Sequence, residues 1–341
     1  MGSRSLSLAI QKTEIVLLTR KRIDRNIQML VDGQSIITSD VIKYLGVMLD
    51  VKLSFWAHIC KAADRAAAVV GRLGRLMANI GGPSPSKRRL LMRTTDAILL
   101  YGAEVWADAL KFQKYRTRIE SVQRRGALRI CSGYRTVSAP AVQVVAGVTP
   151  IDLLADERRR IHLRKAENAP TVVKKEEREE TMRRWQNRWR SESRGRWTAR
   201  LIHGVKEWTE RVHGEVNYYL TQFLTGHGYF WSFLKKIGRT TDSRCLYCQQ
   251  QRDRITDDEQ QDQDGVAEGL EIEEDDVYHT HMCPRWERMR SSLIDEVGEL
   301  QPETIVNKMM ETKENWDAIN TYVMAVLKEK ERNRDWEGLT S

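Results

Sequence analysis

The hydrophobic pattern opens with short runs and gives way to long helical ones. Residues 15–18, 27–31, 35–38 and 41–49 are brief apolar or β-branched stretches, the composition of strands with one packed face. Asp32-Gly33-Gln34 joins the second stretch to the third, and Asp-Gly suits a tight hairpin because glycine accepts positive φ without a Cβ clash. Gly46, inside the fourth, marks a bulge or a close backbone approach. Together they predict a small antiparallel sheet over residues 1–52, too thin to stand alone.

From residue 54 the period lengthens. Phe55, Ile59, Ala63, Ala66, Val70, Leu73, Met77 and Ile80 fall on one arc at about 100° per residue, which predicts a helix over 54–80 stopped by Gly81-Gly82-Pro83. Lys61, Arg65, Arg72 and Arg75 lie within roughly 80° of one another beside that arc, a one-sided positive stripe. Ser84-Pro85 caps the next helix, whose apolar face reads Leu90, Leu91, Thr94, Ile98, Tyr101 and Val105, with Lys87, Arg88, Arg89 and Arg93 crowding its start. Basic helices follow over 113–131 and from Pro150 to about Ala166, the latter rich in Arg158, Arg159, Arg160 and Arg164. Residues 53–167 thus read as an all-helical basic module whose aromatics, Trp56 and Trp106 among them, belong to its core.

Residues 168–240 read as a Trp-rich helical connector. It starts with a mixed-charge run at 174–180, taken as a solvated hinge or helix start, and is broken at Thr225-Gly226-His227-Gly228 before resuming over 229–237. Helices close the chain over 293–341, the last of them at 316–330. The fold class expected is therefore mainly α, with a small antiparallel β-sheet at the N-terminus, a helical middle and a metal-stapled helical module near the end.

Charge sharpens this picture. The 341 residues carry a net charge of +9 and are 41% hydrophobic, enough for two or three small cores. Residues 249–276 hold twelve Asp or Glu against Arg252 and Arg254, about −10, so the remainder stands at about +19. A strongly basic body with an acidic insertion points to a polyanionic partner, most plainly RNA or DNA bound without strong sequence preference. No apolar run approaches the roughly 20 residues of a membrane span, and the first residues lack a signal-peptide core. A reducing nucleus or cytoplasm is expected, not secretion or a membrane.

The densest chemistry is Cys245-Leu-Tyr-Cys248, answered by His279-Thr-His281-Met-Cys283-Pro284. Two thiols separated by two residues aim at one point from a single turn, and a distant His/Cys pair completes a tetrahedral zinc site. Such a site contributes about 10–16 kcal/mol of binding free energy to folding. Five donors compete for four positions. In a helix or turn His279 and Cys283 share a side, whereas in an extended segment His281 joins them. Pro284 suits the first position of a following helix, so Cys245, Cys248, His279 and Cys283 are taken as structural Zn²⁺ ligands, with His281 as substitute. Asp257-Asp258 and Asp275-Asp276 sit in polar sequence and read as solvated charge.

Several stretches, in order, resemble one family. They are Ser7-Leu-Ala-Ile-Gln-Lys12-Thr13-Glu14, Lys43-Tyr44-Leu45-Gly46-Val47-Met48-Leu49-Asp50, Leu100-Tyr101-Gly102 with Trp106, Gly195-Arg-Trp197-Thr, Leu224-Thr-Gly-His-Gly228 and the Cys/His cluster. This order is similar to the carboxy-terminal part of the reverse-transcriptase polyprotein of insect non-LTR retrotransposons, above all those inserting into ribosomal DNA. The resemblance implies that residues 1–52 are the end of a palm, with Tyr44-Leu45-Gly46 as primer grip and Lys12 in the lysine motif. It implies a thumb over 53–167 and a CCHC zinc knuckle over 241–292 carrying the acidic insertion. The one-sided stripe of Lys61, Arg65, Arg72 and Arg75 and the basic helix entry of Lys87, Arg88 and Arg89 are taken as nucleic-acid contacts, since a helix tracking phosphates needs such a stripe. Polymerisation needs paired carboxylates for two metal ions, and the sequence has no Tyr/Phe-x-Asp-Asp strand. The endonuclease portion is also missing, so the expectation is an RNA-directed DNA polymerase fragment, inactive alone, with Lys12 vestigial. A full-length retrotransposon reverse transcriptase is a natural partner. The competing expectations are an accessory subunit of that enzyme and a domesticated protein that binds an acidic protein.

Overall fold

The computed structural model describes residues 9–167, 169–251, 274–277, 279–301 and 303–333. The described chain is mainly helical, with its strands confined to two small antiparallel hairpins near the N-terminus. In the first hairpin, β1 (Gln28–Val31) pairs with β2 (Gln34–Ile37), Val31 opposite Gln34, around a two-residue turn with φ +50° at Asp32 and +77° at Gly33. Gln34 thus belongs to the strand. In the second, β3 (Val41–Tyr44) pairs with β4 (Val47–Asp50) around Leu45-Gly46, with φ +45° and +87°. The run 41–49 is therefore two strands and a turn, and residues 15–18 lack strand structure. The expected single sheet is two separate hairpins.

The helices in order are α1 (Trp56–Gly74), α2 (Pro85–Leu99), α3 (Ala103–Trp106), α4 (Gln113–Cys131), α5 (Ala139–Ala146), α6 (Ile151–Leu163), α7 (Pro170–Ser191), α8 (Arg196–Leu201), α9 (Val205–Glu210) and α10 (Tyr218–Thr225). They continue as α11 (Trp231–Lys236), α12 (Glu287–Val297), α13 (Ile305–Glu311) and α14 (Lys313–Asn333). Two compact units emerge, each built from three stretches. The first comprises residues through Leu73, Met92–Gln123 and Pro150–Thr181; the second comprises Gly74–Leu91, Arg124–Thr149 and Met182 onward.

In the first unit α1 buries Ile59, Ala62, Ala63, Ala66 and Val70, the face its periodicity predicts. The helix ends at Gly74, six residues early, consistent with the low helix propensity of Gly71 and Gly74; Ile80 is 59% exposed. Trp106 is fully buried as expected, whereas Trp56 is only half-buried. The face expected for α2 is the wrong one. Met92, Thr95 and Leu99 are buried, while Leu90 is 63% exposed and Tyr101 and Val105 lie outside the helix on the surface. The run at 174–180 is the interior of α7, not a hinge, because its charges meet those of α6. Arg160 pairs with Asp156 and Glu177, Arg164 with Glu176 and Glu177 (both 2.7 Å), and Arg178 with Glu157. Burial pushes the Glu177 carboxyl up, but the two guanidinium groups outweigh it and hold it below the ordinary range.

In the second unit α5 is so uniformly apolar that it carries no amphipathic period, and six of its eight residues are buried. Trp208 Nε1 donates to Val145 O from α9, and Trp189 Nε1 to Ile202 O. The Arg211 guanidinium lies 4.0 Å from the Trp208 ring and 5.1 Å from that of Trp316 on α14, a double cation–π contact. The long α14 buries Trp316, Ile319, Val323, Val326, Leu327 and even Lys330.

Candidate metal centre and nucleic-acid interface

The metal centre is built at the junction of three short segments of the second unit. Arg244 bridges to Glu274, which fixes the strand leading into Cys245; residues 246–251 are helical, and the Gln249 N–H donates to Cys245 O at 3.0 Å. Across from it, a single 3-10 turn over His279–His281 is closed by the Cys283 N–H donating to His279 O, so His279 and Cys283 project to the same side. Pro284 then opens the next turn, as its fixed φ favours.

Cys245 Sγ and Cys248 Sγ each lie 3.8 Å from Cys283 Sγ, and Cys248 Sγ lies 3.3 Å from His279 Nε2. All four donor atoms fall within 4.8 Å of one another. A tetrahedral zinc with bonds of about 2.3 Å to sulfur and about 2.05 Å to nitrogen requires S···S edges of about 3.8 Å and S···N edges of about 3.55 Å. The donor set fits that ion. Without a cation the three thiols compete for one charge. The hydrogen bond from Cys283 pulls Cys245 down, and that same bond pushes Cys283 up; burial, then the Cys245 charge, pushes Cys248 up. A dication removes that conflict by stabilising every thiolate.

His281, the substitute, is not in the cluster. It is buried, its ring lies 5.5 Å from the Phe223 ring, and burial lowers its pKa to about 4. Two carboxylates the sequence reading placed in solvent support the centre instead. Asp276 accepts the His279 N–H at 2.8 Å. Asp275 is 1% exposed, pairs with Lys330 of α14, and accepts the Trp231 N–H at 3.1 Å. Asp257-Asp258 lie outside the described residues. Further ties bind α14 to this module: Tyr322 Oη donates to Thr280 O, Arg285 pairs with Glu329, and Asn333 donates to Tyr247 Oη.

The basic candidates fall in both units. In the first, Lys61 and Arg65 are exposed on α1 and, with Lys43 and Gly46 of the second hairpin, line a cavity of about 340 Å³ floored by Ala62 and Ile98. Three cations and, among the described residues, no carboxylate line it. Its edge is rigid. Tyr101 Oη donates to Leu45 O at 2.9 Å, and a Cβ on Gly46 would sit 2.7 Å from the Tyr101 ring, which explains the glycine as a close approach as well as a turn. His58 accepts the Met48 N–H on Nδ1 and donates from Nε2 to Tyr101 O, a neutral tautomer consistent with a pKa lowered by burial. Tyr44 and Leu45 are exposed at the hairpin tip, Lys12 is exposed in a short 3-10 turn, and Arg72 is exposed at the end of α1.

In the second unit Arg75 and Lys87 are exposed, whereas Arg88 and Arg89 are not. Arg88 is 3% exposed and donates to Ala78 O, Pro83 O, Arg129 O and Ser132 Oγ at 2.5–3.0 Å. Arg89 is half-buried and donates to Ala146 O at 2.8 Å. Both act as carbonyl clamps inside the fold.

No family model and no solved structure matches the sequence. Curated relatives do. The chain is 30% identical over 224 residues, 60% of its length, to a Pol polyprotein of the type-1 retrotransposable element R1 2 of Nasonia vitripennis, covering 54% of that protein. It is 31% identical over 223 residues to the putative 115 kDa protein of element R1DM of Drosophila melanogaster, covering 22% of it. A third relative, the R1 Pol polyprotein of Nasonia vitripennis, is 27% identical over 249 residues with 72% covered. The chain is a homologue of insect R1 Pol polyproteins. It spans about half, or less, of the first two R1 relatives it matches. The resemblance to elements of this kind is thereby borne out. Among the described residues of this R1 homologue, no helix is long and apolar enough to cross a membrane. Asp275, read from the sequence as solvated charge, pairs with Lys330, which the sequence reading did not single out; Lys330 falls three and four positions after the buried Leu327 and Val326 on α14.

Proposed function

We propose that the chain is the carboxy-terminal, nucleic-acid-binding region of an R1-type retrotransposon reverse transcriptase, held in shape by structural zinc. The observation that carries this reading is the closed shell of three thiols and one imidazole in a homologue of R1 Pol polyproteins. Four protein ligands leave no open position for water or substrate, so zinc would supply fold and not chemistry. Cys245 and Cys248 would hold it from one turn, His279 and Cys283 from the other. On this reading the hairpin at 41–50 is the primer grip and the helices after it the thumb. Lys43, Lys61 and Arg65, with no carboxylate among the described residues lining their cavity, take phosphate oxygens of RNA or DNA. The region contributes grip, and polymerisation chemistry belongs to palm carboxylates.

Metal analysis of the purified chain tests the first half: one equivalent of zinc is expected, lost in His279→Ala and kept in His281→Ala. The reverse order would overturn the ligand assignment. Filter binding of a single-stranded oligonucleotide tests the second. Three or four phosphate contacts on a single strand give about a 20- to 50-fold loss of affinity from 50 to 200 mM salt. Salt-independent binding, or none at 50 mM, would refute the reading. No primer extension with template, dNTPs and Mg²⁺ is expected.

A further inference from the structure

The first unit carries an aromatic cluster that neither the metal centre nor the cationic cavity uses. Trp56, at the start of α1, and Tyr115, in the first turn of α4, have ring centroids 4.9 Å apart with planes at 34°. Phe112, just before α4, lies 5.7 Å from Tyr115. Lys114 holds its ammonium 4.2 Å above the Trp56 ring. A staple between two helix starts would account for such rings if they were buried. Phe112 is 67% exposed, however, and Trp56 and Tyr115 are half-buried. Folding gains little from an outward phenyl face.

The backbone beneath these rings is fixed. Phe112 donates its N–H to Ala109 O at 3.2 Å and accepts from Tyr115 and Arg116 through its carbonyl. Trp56 follows a turn in which the Asp50 carboxylate accepts the N–H groups of Lys52, Ser54 and Phe55 and the Ser54 hydroxyl. That turn holds Leu53 and Phe55 at φ +51° and +59°, a conformation that side chains of their bulk rarely adopt. The surroundings are positive. Residues 109–119 include Lys111, Lys114, Arg116 and Arg118 and no acid. Asp108 pairs with Lys111 and Asp64 with Arg118, while among the described residues no carboxylate pairs with Lys114 or Arg116. A rigid, outward ring flanked by two such cations matches a ligand that offers a flat π face and a phosphate at once.

We propose that Phe112, backed by Tyr115 and Trp56 and flanked by Lys114 and Arg116, is a base-stacking ledge for single-stranded nucleic acid. An unpaired base lies on the phenyl face and its phosphates reach the two cations. A duplex is excluded, because its base faces are already covered. The proposal rests on the nucleic-acid reading above and adds to it a site that recognises bases.

The test uses the full zinc-loaded chain and two probes of equal charge, a ten-nucleotide thymidine strand and an abasic strand of the same length. Wild type should bind the thymidine strand about tenfold more tightly. Phe112→Ala should erase that preference while leaving abasic binding unchanged, and Phe112→Trp should restore it. Lys114→Ala should weaken both strands alike. Circular dichroism melting checks that the exposed Phe112 site tolerates the change. Equal wild-type affinity for the two strands, or a Phe112→Ala variant that weakens both equally, overturns the ledge while leaving phosphate binding intact. An unchanged preference in Phe112→Ala overturns it as well and hands the patch to a protein contact. Absence of binding to either strand at low salt fails the underlying reading instead.

Discussion

Removing the Lys330 ammonium should unfasten α14 from the metal module. The Lys330 and Asp275 side chains are 3% and 1% exposed, so neither reaches water, and the pair is a buried one. Asp275 Oδ2 keeps the Trp231 N–H as a donor, and its backbone joins Ser243 and Ser232, so the carboxylate stays in place when its partner goes. A buried charge left with a single backbone donor costs about 3–5 kcal/mol, whereas replacing both partners with neutral groups of similar shape is nearly neutral. Methionine is the right substitute because the Lys330 ammonium lies 5.4 Å from the Phe230 ring centroid, a cation–π contact that a thioether sulfur against the ring can replace. Hydrogen exchange of amides in 313–333, with zinc saturating, reads the opening of that helix directly. Lys330→Met should lower the opening free energy by about 3 kcal/mol or more, and adding Asp275→Asn should return at least about 2 kcal/mol of it. A single-variant loss below about 1 kcal/mol, or a double variant as open as the single, would show that the pair is not what fastens this helix.

Three other outcomes follow from local geometry. Gly46→Ala meets both a φ of +87° and a ring carbon 2.7 Å from its Cβ, so thermal melts should show a loss of about 1–3 kcal/mol, only partly relieved by Tyr101→Ala. Adjacent arginine and lysine should behave oppositely. In urea titrations Arg88→Met should cost about 3 kcal/mol or more because it orphans buried acceptors, while Lys87→Ala should change stability by less than about 0.5 kcal/mol. Burial raises the Asp96 pKa to about 6, against the pull of Arg158 and Arg93. A folded pKa above the unfolded 3.8 gives stability that is full below the unfolded value and lost as pH rises through 6. Asp96→Asn should therefore gain on wild type between pH 5 and 7, by about 1 kcal/mol, and a flat difference across that window would refute the assignment.

Where the sequence spoke clearly, one side chain type carried one geometric demand. The cysteine pair and the His/Cys pair four residues apart are fixed by ligand spacing, and the structure brings the four donors together. Helix α1 was legible because its Ala and Val positions sit on one arc with the cations grouped beside it. Helix α2 was not, because apolar residues lie on both sides of it: the Leu90 arc looks as convincing as the Met92–Thr95–Leu99 arc, and only packing against neighbours chooses. The charge run in α7 looked like a hinge since its partners, Arg160 and Arg164, belong to another helix and no local period reports them. Asp275 was misread for the same reason. Its cation lies 55 residues away, and acids around it suggest solvent.

The weave of the two units bears on how the protein comes off the ribosome. The core of the first unit needs residues up to Thr181, although stretches of the second, 74–91 and 124–149, have been made before then and are still waiting for their own later partners. The first unit has all its stretches once Thr181 is made, whereas the second must wait for Met182 onward. A single cut after Thr181 keeps the three stretches of the first unit together but parts 74–91 and 124–149 from the rest of the second, so a fragment meant to carry the second unit must hold all of its stretches at once.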